Sequence, residues 1–245
     1  MLLDKNNPAA NEPLEPVNTR QLIFAFVLSF VLLVLPSVLV TLVAGLVAKV
    51  AGIAEPFHWV TTLSVQLYLM PINFLLSLVC LAKIISHGTY HWQSALKVEP
   101  LAVKDSLLWC VCAAAFWLLM MLVSEWLSLP EQEFMLLFTQ QDNSLLLTIL
   151  VISIGAPLVE EVVMRGYLFH HCQRYGLSMW LTILLSSIAF GLLHVSQYTW
   201  VAVVQVILLG CYLGWVRIKA NNTSVAILTH ATFNSLTLIA IYNTY

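Results

Sequence analysis

Residues 145–169 read LLLTILVISIGAPLVEEVVMRGYLF, an apolar run interrupted by two adjacent carboxylates, Glu160 and Glu161. A run of this length can cross a bilayer as a helix, which takes about 20 apolar residues. Charged side chains inside such a run are costly and usually mark a polar site in the protein interior. The alternative is that the run is the cytoplasmic end of a span and that both carboxylates are solvated.

The composition of the whole chain favours a membrane protein. Hydrophobic residues make up 60% of the 245 positions and charged residues only 9%. Soluble domains carry about 25% charged residues. The formal net charge of −2 lacks the positive excess that is typical of proteins that bind nucleic acid. We therefore expect membrane lipid, and no nucleic acid, among the partners.

The apolar segments predict an all-α fold, a polytopic membrane helical bundle of about seven transmembrane helices, with an eighth left open. The polar stretch 1–20 contains three prolines and mixed charge, which predicts a disordered cytoplasmic tail. No linker is long enough to separate a second domain, so residues 21–245 are expected to form one transmembrane domain. The predicted spans are 21–48, 58–84, 105–128, 144–169, 178–196, 198–217 and 223–243.

The basic residues predict the orientation. With seven spans, eight Lys and Arg residues fall on the side of the N-terminus and only Lys49 falls on the other, if Arg165 is set aside. Lys and Arg accumulate on the cytoplasmic side of membrane proteins. We therefore expect a cytoplasmic N-terminus in a multi-pass protein of the bacterial inner (plasma) membrane. The eight residues are Lys5, Arg20, Lys83, Lys97, Lys104, Arg174, Arg217 and Lys219.

Helical spacing separates the two carboxylates. Glu161 and Arg165 are four residues apart, so they share a helix face and can pair. Glu160 is turned about 100° away from Glu161. One carboxylate can therefore be neutralised by Arg165 while Glu160 remains free for chemistry.

Histidines in the following apolar segments extend this pattern. Glu160 and His194 are equally far in sequence from Leu177, beside the turn between two spans, so an antiparallel helix pair places them at the same depth. A carboxylate that faces an imidazole in a dry interior is a plausible water-activating pair. His230 and Asn234 are again four residues apart and share one helix face.

These residues resemble the CAAX protease and bacteriocin-processing family of intramembrane endopeptidases, also called the abortive-infection or type II CAAX prenyl protease family. The family pattern is EExxxR, then FxxxH, then HxxxN or HxxxB. The resemblance covers residues 144–243, and the first 140 residues are similar only in being helical and apolar. The matching positions are Glu160, Glu161 and Arg165, then Phe190 and His194, then His230 and Asn234.

The resemblance implies an endopeptidase that hydrolyses peptide bonds in membrane-embedded or lipid-modified peptides and proteins, and a mechanism of the glutamic type is favoured. Glu160 would be the general base that activates water, with His194 helping to hold it. His230 and Asn234 would stabilise the oxyanion. The remaining motif residues, Glu161, Arg165 and Phe190, would support this geometry.

Three different functions or mechanisms stay open. A zinc-dependent metalloprotease would use Glu160, His194 and His230 as ligands and keep a fourth position for water. The chain has no HExxH motif, so a mechanism without metal or other cofactor is favoured. A non-catalytic membrane protein for bacteriocin immunity or peptide binding is the second, and a transporter whose buried carboxylates relay protons is the third. The sequence indicates neither a specific substrate nor an oligomeric state.

Overall fold

The computed structural model of the protein describes residues 18–86, 96–129, 136–138 and 144–244, so most of the predicted tail lies outside the described residues. The described residues form helices and no strand. The principal helices are α1 (Thr19–Val50), α2 (Pro56–Thr61), α3 (Leu63–Ser86), α4 (Val103–Trp126), α5 (Leu145–Arg174), α6 (Met179–Leu192), α7 (Trp200–Ala220) and α8 (Thr223–Thr244).

Six of these helices, α1, α3, α4, α5, α7 and α8, are long and apolar enough to cross a membrane. The predicted polytopic helical membrane bundle is therefore confirmed. The predicted second span is divided, because its first residues form the separate short helix α2. The other five long helices each lie where the sequence predicts a span.

The fifth span is predicted at 178–196, but the helix found there, α6, has only 14 residues. At 1.5 Å per residue it is about 21 Å long, shorter than the roughly 30 Å hydrocarbon core. The chain then turns at 193–197, before α6 reaches the length that would cross this core. Non-helical backbone at such a depth is tolerated where it is buried in protein or lines a cavity.

Helix α5 is the buried centre of the bundle. Residues 161–169 are all buried, whereas α4 buries only Ala113, as expected for a helix that faces lipid. Two π-helical stretches, Ile149–Gly155 and Val162–Leu168, flank a short α-helical segment that contains both carboxylates. A π turn changes the direction of the side chains that follow it, and such turns are frequent at functional sites.

Glycines on α7 let this helix approach α6 closely. A Cβ atom on Gly210 would lie 3.1 Å from the Cα atom of Ser187, and one on Gly214 would lie 3.2 Å from Ile183. Small residues four apart allow such close helix contact. The pair α6–α7 therefore forms a tight antiparallel wall beside α5.

Candidate active site

Glu161 and Arg165 form a buried ion pair at the centre of the site. The Nη1 atom of Arg165 donates to Oε1 of Glu161 at 3.2 Å, and both side chains are fully buried. The contact expected from the i, i+4 spacing is therefore present. It neutralises Glu161 in an interior where an unpaired charge costs several kcal/mol.

Arg165 is also held by two neighbouring helices. Its Nη2 atom donates to the Gly210 carbonyl oxygen of α7 at 2.9 Å, and its Cζ atom lies 4.8 Å from the centroid of the Phe190 ring on α6. The buried Phe190 ring also makes edge contacts with the imidazoles of His194 and His230, at centroid distances of 4.8 and 5.8 Å. The three motifs thus meet at one aromatic ring.

His230, on α8, contacts the adjacent carboxylates unequally. Its Nδ1 atom lies 2.9 Å from Oε1 of Glu161 and 4.0 Å from Oε2 of Glu160. The imidazole is almost completely buried. An Nδ1–H group that donates to a carboxylate fixes both the tautomer and the orientation of the ring. His230 is therefore anchored on Glu161 and lies beside Glu160.

Glu160 has a different environment from its neighbour. Its side chain is 23% exposed, and its carboxylate makes no hydrogen bond with a residue of the described chain. It lines a cavity of about 320 Å³ together with His194. Side chains of α1, α3, α5 and the turn after α6 form the walls of this cavity. Of the two carboxylates, Glu160 is therefore the one that faces a space large enough for a ligand.

His194 lies in the turn that follows α6, and its ring is fixed from two sides. Its Nδ1 atom lies 2.8 Å from the Phe190 carbonyl oxygen. Because a carbonyl oxygen only accepts, Nδ1 carries the proton in this bond and Nε2 is left for other partners. The ring of Tyr198 stacks on the imidazole at a centroid distance of 5.9 Å. Glu160 and His194, expected at the same depth, line the same cavity.

Asn234 lies one turn after His230 on α8. Its Nδ2 atom donates to the Ile152 carbonyl oxygen at 3.0 Å, within the first π-helical stretch of α5. Neither His230 nor Asn234 lines the cavity that holds Glu160 and His194. The two α8 residues thus contact α5 close to Glu160.

The zinc site that the sequence left open would use Glu160, His194 and His230. Among the described residues, no group of three or more His, Cys, Asp and Glu side chains could hold a metal ion. The three residues expected as zinc ligands, Glu160, His194 and His230, do not form such a group.

Two residues near the site were not found from the sequence. Tyr198 stacks on His194, and Asn73 of α3 lines the cavity. Asn73 has a signal in the sequence, because it is a lone amide in the apolar stretch LYLMPINFLLSL (67–78). A polar side chain inside a span usually faces the protein interior. Tyr198 has no comparable signal.

Comparisons with known proteins agree with the motifs. Residues 142–236 match the model of the family described as Type II CAAX prenyl endopeptidase Rce1-like. A protein of Escherichia coli described as an uncharacterized 24.3 kDa protein is 29% identical over 152 residues, which are 60% of this chain and 70% of the relative. No solved structure matches the chain. The matched region contains all three motifs and agrees with the family that they resemble.

Proposed function

We propose that this chain is an intramembrane endopeptidase, because residues 142–236 match the Rce1-like family of type II CAAX prenyl endopeptidases. Its substrates are membrane-embedded or lipid-modified peptides and proteins. The observation that carries the proposal is the separation of the adjacent carboxylates. Glu161 is bound by Arg165 and His230, whereas Glu160 faces a cavity that it shares with His194.

In the proposed reaction, a water molecule binds between the Glu160 carboxylate and Nε2 of His194. Glu160 takes a proton from this water as the water oxygen attacks the carbonyl carbon of the scissile bond. The proton then passes from Glu160 to the amide nitrogen, and the C–N bond of the tetrahedral intermediate breaks. None of the site residues is a strong nucleophile, so direct attack by water suits this site better than a covalent intermediate.

We assign stabilisation of the oxyanion to His230 and Asn234. The Asn234 amide has a second N–H besides the one that Ile152 accepts, and the His230 ring lies beside Glu160. Fixed donors in a dry site need no reorganisation during the reaction, and losing one costs about 10²–10³ in kcat. The contacts of Glu161, Arg165 and Phe190 hold these donors in place.

The proposed mechanism uses no metal ion. The arrangement of Glu160, His194 and His230 supports this choice, because these residues do not form a metal-ligand group in the described chain. We expect hydrolysis to continue unchanged after treatment with a strong zinc chelator. Loss of activity that added zinc restores would favour the metalloprotease instead.

We further propose that the N-terminus lies in the cytoplasm, at the inner membrane. The excess of basic residues on one side supports this orientation. In a cysteine-free background, a membrane-impermeant thiol reagent should label Ser128→Cys, after α4, in intact cells. The same reagent should reach Ser178→Cys, between α5 and α6, only after the cells are opened.

The proposed activity is tested by comparing the protein termini in membranes of cells that express wild type or Glu160→Ala at equal levels. New termini that depend on Glu160 would establish a protease and identify its substrates. Glu125→Gln changes an exposed carboxylate on α4 and serves as the matched control, with wild-type termini expected. If folded wild type and Glu160→Ala give the same termini, the non-catalytic immunity or peptide-binding function is favoured.

A further inference from the structure

The cavity that holds Glu160 and His194 is also lined by an asparagine of α3, a helix outside the region of the three motifs. Asn73 lies near the middle of α3, is only 5% exposed and lines this cavity. Its Oδ1 atom has no hydrogen-bond partner among the described residues. An unpaired buried amide in a native protein calls for an explanation, and a functional role is one.

The neighbouring hydroxyl on the same helix face does not satisfy Asn73. Ser77 also lines the cavity, but its Oγ atom donates to the backbone carbonyl oxygen of Asn73 at 2.9 Å. Buried asparagines in membrane proteins often hydrogen-bond to an adjacent helix. No such bond to Oδ1 is present in the described chain, so helix association does not account for Asn73.

Close packing holds this part of α3 against α5. A Cβ atom on Gly155, in the first π-helical stretch of α5, would lie 2.7 Å from the ring of Phe74. The missing side chain therefore allows the residue next to Asn73 to pack on α5 just before Glu160. Asn73 and Glu160 are thus fixed features of one cavity.

The backbone of a peptide substrate offers hydrogen-bonding groups that could pair with Asn73. A scissile bond must leave its helix before water can reach the carbonyl carbon, which exposes backbone N–H and C=O groups. Such groups are very unfavourable in a medium without water, so the protein has to satisfy them. A primary amide offers both a donor and an acceptor, matching the N–H and C=O groups of an extended peptide.

We propose that Asn73 is a substrate-binding residue that hydrogen-bonds the backbone of the unwound peptide segment beside Glu160. This inference rests on the proposed peptidase activity. The cavity volume of about 320 Å³ is at the lower end of the range for ligand sites, roughly 300–1,000 Å³. The site therefore takes a short extended segment, and recognition through the backbone makes it tolerant of side-chain sequence near the scissile bond.

The first test compares Asn73→Leu with wild type, Glu160→Ala and Thr182→Val for the Glu160-dependent termini in membranes. Loss of one substrate hydrogen bond should lower their yield about tenfold in Asn73→Leu. Thr182→Val is the matched control, because Thr182 is also buried with an unpaired hydroxyl among the described residues but does not line the cavity. It should process substrates as wild type does.

A stability measurement separates substrate binding from a structural role. Because the Asn73 amide oxygen is unpaired among the described residues, Asn73→Leu should leave the thermal unfolding midpoint in detergent unchanged or raise it. A clear fall in this midpoint would show that the amide holds the fold together and would overturn the inference.

Kinetics then separate substrate binding from an effect on Glu160. The probe is a synthetic peptide that spans the most abundant Glu160-dependent terminus. Asn73→Leu should raise KM with little change in kcat, and the pH profile should keep its wild-type position. A shifted pH profile with unchanged KM would overturn substrate binding, as would wild-type yields of the termini. If Glu160→Ala itself removes no termini, the proposed activity fails first, and the inference fails with it.

Discussion

His230 makes its hydrogen bond to Glu161, at 2.9 Å, and lies 4.0 Å from the nearest oxygen of Glu160. His230 therefore hydrogen-bonds one of the two neighbouring carboxylates of α5 and not the other. Glu161 thus has a second partner besides Arg165, which already neutralises it. Glu160 is left facing the cavity, so consecutive and chemically identical residues have opposite environments.

The first prediction concerns the two carboxylates. Glu161→Gln leaves Arg165 buried without its counter-charge, and breaking a buried pair in this way costs about 3–5 kcal/mol. Glu160→Gln removes a carboxylate that makes no hydrogen bond within the described chain, so it should change stability by less than about 1 kcal/mol. Thermal unfolding in detergent measures both effects.

The effects of the same two variants on activity should differ from their effects on stability. Glu160→Gln is expected to stay folded and lose the Glu160-dependent termini. Glu161→Gln should lose folded protein, and the fraction that folds should lose activity only in part, because its hold on His230 is weakened. A stable Glu161→Gln variant, or a strongly destabilised Glu160→Gln variant, would contradict the assigned division of the pair.

The second prediction uses the fixed tautomer of His194. An asparagine amide can replace Nδ1 as donor to the Phe190 carbonyl oxygen, whereas a glutamine amide reaches the position of Nε2. We expect His194→Asn to keep the fold and lose activity by about 10², the usual cost of misplacing a reacting group. His194→Gln should retain more activity than His194→Asn. The reverse order of activities would show that only the Nδ1 contact matters.

The third prediction concerns the close approach of α6 and α7. A methyl group at Gly210 would meet the backbone of Ser187 and lie 3.2 Å from Nη2 of Arg165. Gly210→Ala should therefore destabilise the protein by about 1–3 kcal/mol, as overpacking does, and disturb the bond from Arg165 to the Gly210 carbonyl oxygen. Leu208→Ala, at an exposed position of the same helix, is the control and should unfold close to the wild-type temperature. Equal midpoints for both variants would argue against a rigid α6–α7 contact.

The fourth prediction concerns the turn before α8. The Asn222 side chain accepts from the backbone N–H groups of Ser224 and Glu99, at 2.8 and 3.3 Å, and donates to the Glu99 carbonyl oxygen at 3.2 Å. Asn222→Ala removes a helix cap and the link to the segment before α4, which should cost about 2 kcal/mol. Lys219→Ala, at an exposed position of α7, is the control. An unchanged unfolding midpoint in Asn222→Ala would show that other contacts hold this turn.

Much of the architecture could be predicted from the sequence, because spans are set by local composition. An apolar run of about 20 residues crosses a bilayer wherever it stands in the chain, and six long helices follow such runs. The length of α6 could not be predicted in this way. The apolar residues continue past Leu192, but the chain turns there, so hydropathy alone does not locate the end of the helix.

The sequence by itself determined the membrane class, the order of the three motifs and the pairing of Glu161 with Arg165, since helical periodicity fixes neighbours four residues apart. Only the tertiary structure decided that His230, 69 residues away, binds Glu161, and that Asn73 shares a cavity with Glu160. The physical reason is that both relationships depend on how separate helices pack. The rotation and depth of one helix against another are set by close contacts such as Gly155 with Phe74, which no local pattern encodes.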